Sequence, residues 1–264
     1  MKDKLILAIL LACISTVFYR CPVEGRVINE VNEIKYEEIV LKQKERENQK
    51  EQKPITMYTK TALNVRKEPN TNSEILEVLY FNEIVKVKKY NKNWFILVKD
   101  KKEYGYVHRK YLRKTPVDYE VYYIPEYSGY KSFMGYSKIT DTSSPQWLLQ
   151  EEYAYTGDYG IRMINGRFCV AIGFAFDPKI GQYFDLILEN GTVIPCIISD
   201  EKDPYDTDED NIFTSDNGCC TEFVVDTNVL NNRASIMGDI SYCNENWMSP
   251  VEKIKIYDKN VMEE

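Results

Sequence analysis

From residue 56 onward the apolar residues of this chain recur at every second position, in short runs divided by turn-forming clusters. The first runs are Ala62-Leu63-Asn64-Val65, Ile75-Leu76-Glu77-Val78-Leu79, Ile84-Val85-Lys86-Val87 and Trp94-Phe95-Ile96-Leu97-Val98. Between them stand Glu68-Pro69-Asn70-Thr71-Asn72, Tyr90-Asn91-Lys92-Asn93 and Lys99-Asp100-Lys101. A period of two places successive side chains on opposite faces of a strand, so each run can bury one face and wet the other. Short strands at this even spacing predict a small β-barrel over residues 56–115. The pattern returns in Phe168–Ile172, Tyr183–Leu188, Val193–Ile198 and Glu222–Val225, where Asn190-Gly191 predicts a two-residue hairpin turn. The 21 tyrosines fit the same reading, because aromatic side chains suit a pleated, half-buried surface. Helix signals are few. Ser144-Pro145 opens one through Tyr153, with serine as N-cap and proline in the first turn.

Charge divides the chain further. Residues 56–115 carry 14 basic and 6 acidic side chains, whereas residues 144–264 carry 8 basic and 22 acidic. Modules of opposite sign on one chain point to different tasks. Residues 116–143, rich in Tyr, Ser and Gly, read as a connector. At the N-terminus, Lys2 and Lys4 precede an apolar stretch from Leu5 to Tyr19 closed by Arg20. This is the pattern of a secretory signal or membrane anchor over residues 1–25, and Leu10-Leu11-Ala12-Cys13 adds a lipobox-like alternative. Residues 26–55 are polar and read as a helical linker or stalk. The expectation is an exported protein held at the cell surface or secreted.

The basic module resembles a known family. Thr61-Ala62-Leu63-Asn64-Val65-Arg66, then Pro69, Trp94-Phe95-Ile96-Leu97-Val98, Gly105-Tyr106-Val107-His108 and Tyr111-Leu112 follow the order of a bacterial SH3 domain. That resemblance implies binding to peptidoglycan, and the module's positive charge would also attract anionic wall polymers. Tyr58, Trp94, Tyr104 and Tyr106 are the candidate wall-binding rings, with Trp94 and Leu63 also read as core. The basic residues fall on this wall-binding module, so no nucleic-acid partner is expected.

Chemistry in the acidic module is narrowed by a single residue count. The chain has one histidine, His108, and it lies in the other module. No zinc site built on two or three histidines can form, and Ser or Cys nucleophiles lack their usual base. Carboxylates remain: Asp200 at the end of one run, with Glu222 and Asp226 bracketing Phe223-Val224-Val225. Residues four apart in a strand share a face, which would aim Glu222 and Asp226 the same way.

A second resemblance rests on shorter pieces. Tyr153-Ala154-Tyr155-Thr156, Val170-Ala171-Ile172, Asp177-Pro178, Gly181, Asp200 and Glu222–Thr227 follow the order of the three-Asp (3D) domain. That domain is a double-psi β-barrel related to the membrane-bound lytic transglycosylase A family. The fold expectation is therefore mostly β: an SH3-like barrel, a second six-stranded double-psi-type barrel, and an N-terminal hydrophobic helix. The resemblance implies peptidoglycan glycan cleavage with Glu222 as the acid and Asp200 beside it; Asp226 is a further candidate carboxylate from its place on the same strand face. Glu222 stands where the family has aspartate. The family's Gly-Gly and Lys are replaced by an acidic loop, Asp200 to Asp216. A non-catalytic wall-binding or adaptor protein is the alternative. The acidic loop also suggests a calcium site, but Asn211 and Asn217 break the EF-hand pattern. No cofactor or metal is assigned. Cys169, Cys196, Cys219, Cys220 and Cys243 allow one or two disulfides with one thiol left over.

Overall fold

The computed structural model describes residues 52–125 and 129–263, together with Lys35 and residues 39–41. The expected signal or anchor, residues 1–25, lies outside the described residues. Of the expected linker, Lys35 and residues 39–41 are helical. Among the described residues no helix is long and apolar enough to cross a membrane.

The chain is mostly β, in two sheets. The first contains β1 (Ile55–Thr59), β2 (Leu63–Arg66), β3 (Ile75–Leu79), β4 (Ile84–Lys89), β5 (Trp94–Lys99), β6 (Lys102–His108) and β7 (Leu112–Arg113), ordered β3-β2-β6-β5-β4-β1-β7. All of its pairings are antiparallel. Alternation decides what is inside: Val85 and Val87 of β4 are buried while Ile84 and Lys86 face out. Met57, Leu63, Val65, Leu79, Phe95, Leu97, Val107 and Leu112 complete that core. Gly105 lets two strands close on each other, since a Cβ there would lie 2.7 Å from Val65 Cγ1 and 3.0 Å from the Arg66 carbonyl.

The second sheet contains β8 (Tyr119–Tyr123), β9 (Ser132–Gly135), β10 (Tyr155–Thr156), β11 (Arg162–Ile164), β12 (Arg167–Ile172), β13 (Gln182–Leu188), β14 (Val193–Glu201), β15 (Thr221–Val225) and β16 (Val251–Asn260). Nine strands stand where six were expected. The main ladder runs β10-β11-β12-β14-β13-β16-β8, with β15 on β12 and β9 on β15. One edge of β12 takes β14 in parallel, while its other edge is shared by β11 and then β15. Of the additional strands, β8, β9, β10 and β11 are short or lie at an edge, whereas β16 is ten residues long and interior but its burial does not alternate regularly. The stretch 116–143, expected as a connector, supplies two of them. β8 pairs antiparallel with β16, and β9 pairs in parallel with β15. Tyr119, Val121 and Tyr123 of β8 are exposed, so the strand carries no buried face to announce itself.

Local signals translate unevenly. Helix α1 (Pro145–Glu152) begins as expected, with Ser144 Oγ accepting from Trp147 N; α2 spans Asn232–Met237. The Asn190-Gly191 hairpin is a three-residue loop. Leu188 N donates to the Thr192 carbonyl and only Gly191 has positive φ, the type I turn plus bulge geometry. The two-residue Asn-Gly turn sits instead at Asn165-Gly166, where both residues have positive φ. The five described cysteines are all free thiols, and four are buried. Disulfides expected from an exported chain are therefore not formed among them.

Two buried cations tie distant segments together. Arg167 of β12 donates to the carbonyls of Cys196 and Phe184 and to Asp185, whose other oxygen accepts from the Tyr257 hydroxyl at 2.5 Å. Phe81, from the turn between β3 and β4, lies over this group. Its ring is 4.8 Å from Tyr257 and 5.5 Å from Tyr183, with the Arg113 and Arg167 guanidinium groups at 4.9 and 5.4 Å. Phe81 thus belongs to the core of the second module although the first supplies it. Asn82 fixes the same junction by bonding both the N–H and the carbonyl of Val117 at 2.8 Å.

Lys131 has no exposed surface, and its Nζ donates to the carbonyls of Gly129, Trp247 and Ser249 and to Ser241 Oγ. Burial pushes its pKa down to about 8. Lys131→Met removes a charged donor shared by the Gly129, Trp247 and Ser249 carbonyls and Ser241 Oγ, so it is expected to destabilise by about 3 kcal/mol. Thermal unfolding checks this, with a Tm loss of about 6–12 °C anticipated for a chain of this size.

Candidate functional site

The register of the second sheet creates one polar row. Ala171 of β12 stands opposite Asp200 of β14 on one side and Glu222 of β15 on the other, and Glu222 in turn faces Ser132 of β9. Directly opposed residues project from the same face, so Asp200, Ala171, Glu222 and Ser132 form a line across four strands. Two ladder spacings put the Asp200 and Glu222 Cα atoms about 10 Å apart. Ala171, between the two carboxylates, is itself buried. The row forms because a bulge between Val170 and Ala171 shifts the pairing with β14 and brings Asp200 level.

Both carboxyl groups are half-buried, and desolvation raises both pKa values. Their partners differ. Asp200 accepts a bond from Glu201 N at 2.9 Å, and this bond and the nearby Gln146 side chain at the start of α1 favour its anion. Glu222 is influenced by burial first, then by the Lys202 ammonium, which favours its anion, and then by Asp200, which opposes it. Burial and Asp200 therefore favour the protonated form of Glu222, and Lys202 opposes them.

Lys202 is buried at the base of the acidic loop. Its Nζ donates to Thr214 Oγ1 at 2.8 Å and to the Cys219 carbonyl at 2.6 Å, clipping the two ends of the loop together. The loop therefore joins the strands that carry Asp200 and Glu222 and is itself folded. Asp208 accepts from Ile212 N and Phe213 N, and the Asn211 carbonyl packs where a Cβ on Gly173 would stand. Among the described residues no three His, Cys, Asp or Glu side chains converge as a metal site would require.

Asp226 is not part of the row. Strand β15 ends at Val225, and Asp226 begins a turn in which its carboxylate accepts from Asn228 N and Nδ2 at 3.1 Å. It lies about 13 Å along the chain from Glu222. Asp177 caps a 3-10 turn on the Phe176 side of the module, lining a separate cleft with Asp118 and Tyr122.

The wall-binding candidates divide as well. Trp94, opposite His108 in the β5–β6 pair, lines a cleft of about 300 Å³ with Leu63, Asn64, Arg66, His108 and Tyr111. Trp94 and His108 meet edge to face at 5.1 Å, with His108 and Tyr111 at 5.7 Å. His108 Nδ1 accepts from Lys110 N. His108 alternates with Tyr106 and Tyr104 along β6, the sequence signal that places it on the same face as these rings. Tyr106 lies against Tyr90 at 5.0 Å, and the Lys99 ammonium covers Tyr104 at 4.8 Å. Tyr58 is half-buried on β1 between Ile84 and Arg113. Of the four rings, the cleft contains Trp94.

With this geometry in hand, the comparisons with known proteins bear on one module. Residues 61–113 match the bacterial SH3 domain family, so the first sheet is a bacterial SH3 domain. No curated protein matches the chain. Among solved structures, NlpC2 from Trichomonas vaginalis matches at 13% identity and a TM-score of 0.21, over 53% of this chain and 58% of that one.

Proposed function

We propose that the protein is an exported cell-envelope protein that binds peptidoglycan through its SH3 domain, at the cleft framed by Trp94, His108 and Tyr111. The supporting observation is that cleft: an aromatic wall beside the Arg66 guanidinium suits a ligand with both apolar and anionic parts, as a wall peptide has. Tyr111 is exposed and outside the SH3 core, so Tyr111→Ala is expected to leave folding intact. It should weaken binding of the full-length protein to purified peptidoglycan about tenfold, read by sedimentation. Unchanged binding would remove the cleft from the interaction.

A second activity is favoured by the Asp200–Ala171–Glu222 row. The second sheet is read as a divergent double-psi-type barrel of the 3D kind, a reading supported by the parallel pairs β12–β14 and β9–β15 within an otherwise antiparallel ladder. In this reading Glu222 gives its proton to the glycosidic oxygen as the bond breaks. The carboxylate then takes the proton of the sugar's own 6-hydroxyl, whose oxygen closes an anhydro ring on the anomeric carbon. Asp200 stays ionised and supports the positive charge that develops at that carbon. The wide spacing of the pair does not require Asp200 to bond covalently to the sugar.

A further inference from the structure

A second cleft in the SH3 domain, of about 560 Å³, is lined by Gln52, Lys53, Pro54, Lys86, Lys88, Val98, Asp100 and Lys101. Four ammonium groups face one lining carboxylate. Lys86 and Lys88 alternate on β4 and project from the same face about 7 Å apart. Lys88 is partly neutralised by Glu103 at 3.3 Å. Lys53, Lys86 and Lys101 make no ion pair among the described residues, although Lys99 close by is held by Glu77.

The backbone supplies an independent observation. Lys99 and Lys102 are paired, so Asp100 and Lys101 form a two-residue hairpin turn, and both have positive φ, 48° and 64°. Such turns strongly prefer glycine at the second position, because a Cβ there is strained. Lysine at that position places an ammonium on the rim of the cleft at the expense of the turn, and strain of this kind clusters at functional sites.

We infer that this cleft binds a phosphodiester-linked polyanion lacking bases, independently of the Trp94 cleft. Lysines act as point charges suited to phosphate oxygens, and no arginine fork for carboxylates lines the cleft. No aromatic side chain lines it either, so a nucleic acid would gain nothing there from base stacking.

The test is titration of the full-length protein at 50 mM salt with three probes of equal charge: a glycerol phosphate oligomer, oligothymidylate and polyglutamate. The glycerol phosphate oligomer should bind at least as tightly as the other two. Lys86→Gln and Lys101→Gly should each weaken it about fivefold and reduce the salt slope by about 0.7. Lys101→Gly should at the same time raise Tm by relieving the turn, which separates lost binding from lost folding. Lys92→Gln, at the opposite end of β5, is the charge control and should change affinity less than twofold. Absence of binding at this salt, tighter binding of either other probe, or equal loss in the Lys92 control would overturn the assignment. Tyr111→Ala should leave this binding unchanged, so the outcome does not depend on the peptidoglycan reading.

Discussion

Glu222→Gln is expected to reduce release of anhydro-sugar products from purified peptidoglycan by about 10²- to 10⁴-fold, the range removed with a general acid–base group. Mass spectrometry of the soluble products reads this directly, with wall binding measured in parallel. Binding should be retained, because the SH3 cleft does not include Glu222. Products at wild-type level from the glutamine variant would sink the role of Glu222. Binding without products from either protein would leave a targeting or adaptor protein.

The same variant has a stability signature. Desolvation first, and Asp200 after it, raise the Glu222 pKa above its unfolded value. The native state therefore holds a proton that the unfolded chain has released, and stability falls as pH rises through the folded pKa. Glutamine removes that titration. The variant should melt above the wild type at pH 7, and this advantage should shrink as pH falls through the folded pKa and be gone below the unfolded glutamate range. A wild-type Tm that rises with pH across this window relative to the variant would contradict the site's electrostatics.

Phe81→Ala should produce the largest structural effect. The ring is 4% exposed and is packed by Tyr183, Tyr257 and two guanidinium groups. Its loss is expected to destabilise by about 3–5 kcal/mol through the transfer and cavity terms together. Phe81 sits in a turn of the first module yet packs in the core of the second, so the loss falls on the junction. Calorimetry should show one cooperative transition in the wild type and two in the variant, with new protease cleavage near Val117. A single transition merely shifted downward would mean that Asn82 and Val117 hold the modules together without the ring.

Much of the SH3 domain was legible because its strands bury one face each, and a half-buried strand writes its alternation into the sequence. Leu63 and Val65, or Val85 and Val87, show both partners of that pattern. Helix α1 was legible for a different reason, since Ser144 and Pro145 satisfy the first turn locally. The second module hid more. Edge strand β8 buries little, β9 is four residues long, and β16 is buried without regular alternation, so none shows a clean period. Phe81 left one faint trace, an aromatic residue in a turn where polar residues are the rule.

The candidate sites follow the same division. Sequence alone determined that the chain is mostly β, that its two halves differ in charge, that an SH3 domain is present, and that carboxylates rather than histidine must carry any chemistry in the acidic half. These properties reside in residue identity and short-range periodicity. Tertiary structure decided which carboxylates meet. Asp200 and Glu222 are 22 positions apart and become neighbours only because each pairs with Ala171, whereas Asp226, four positions from Glu222, turns away where β15 ends. It also placed His108 beside Trp94 and gathered Lys53, Lys86 and Lys101 around one cleft. Strand register and bulges set these encounters, and register is a property of pairs of segments that no single segment encodes.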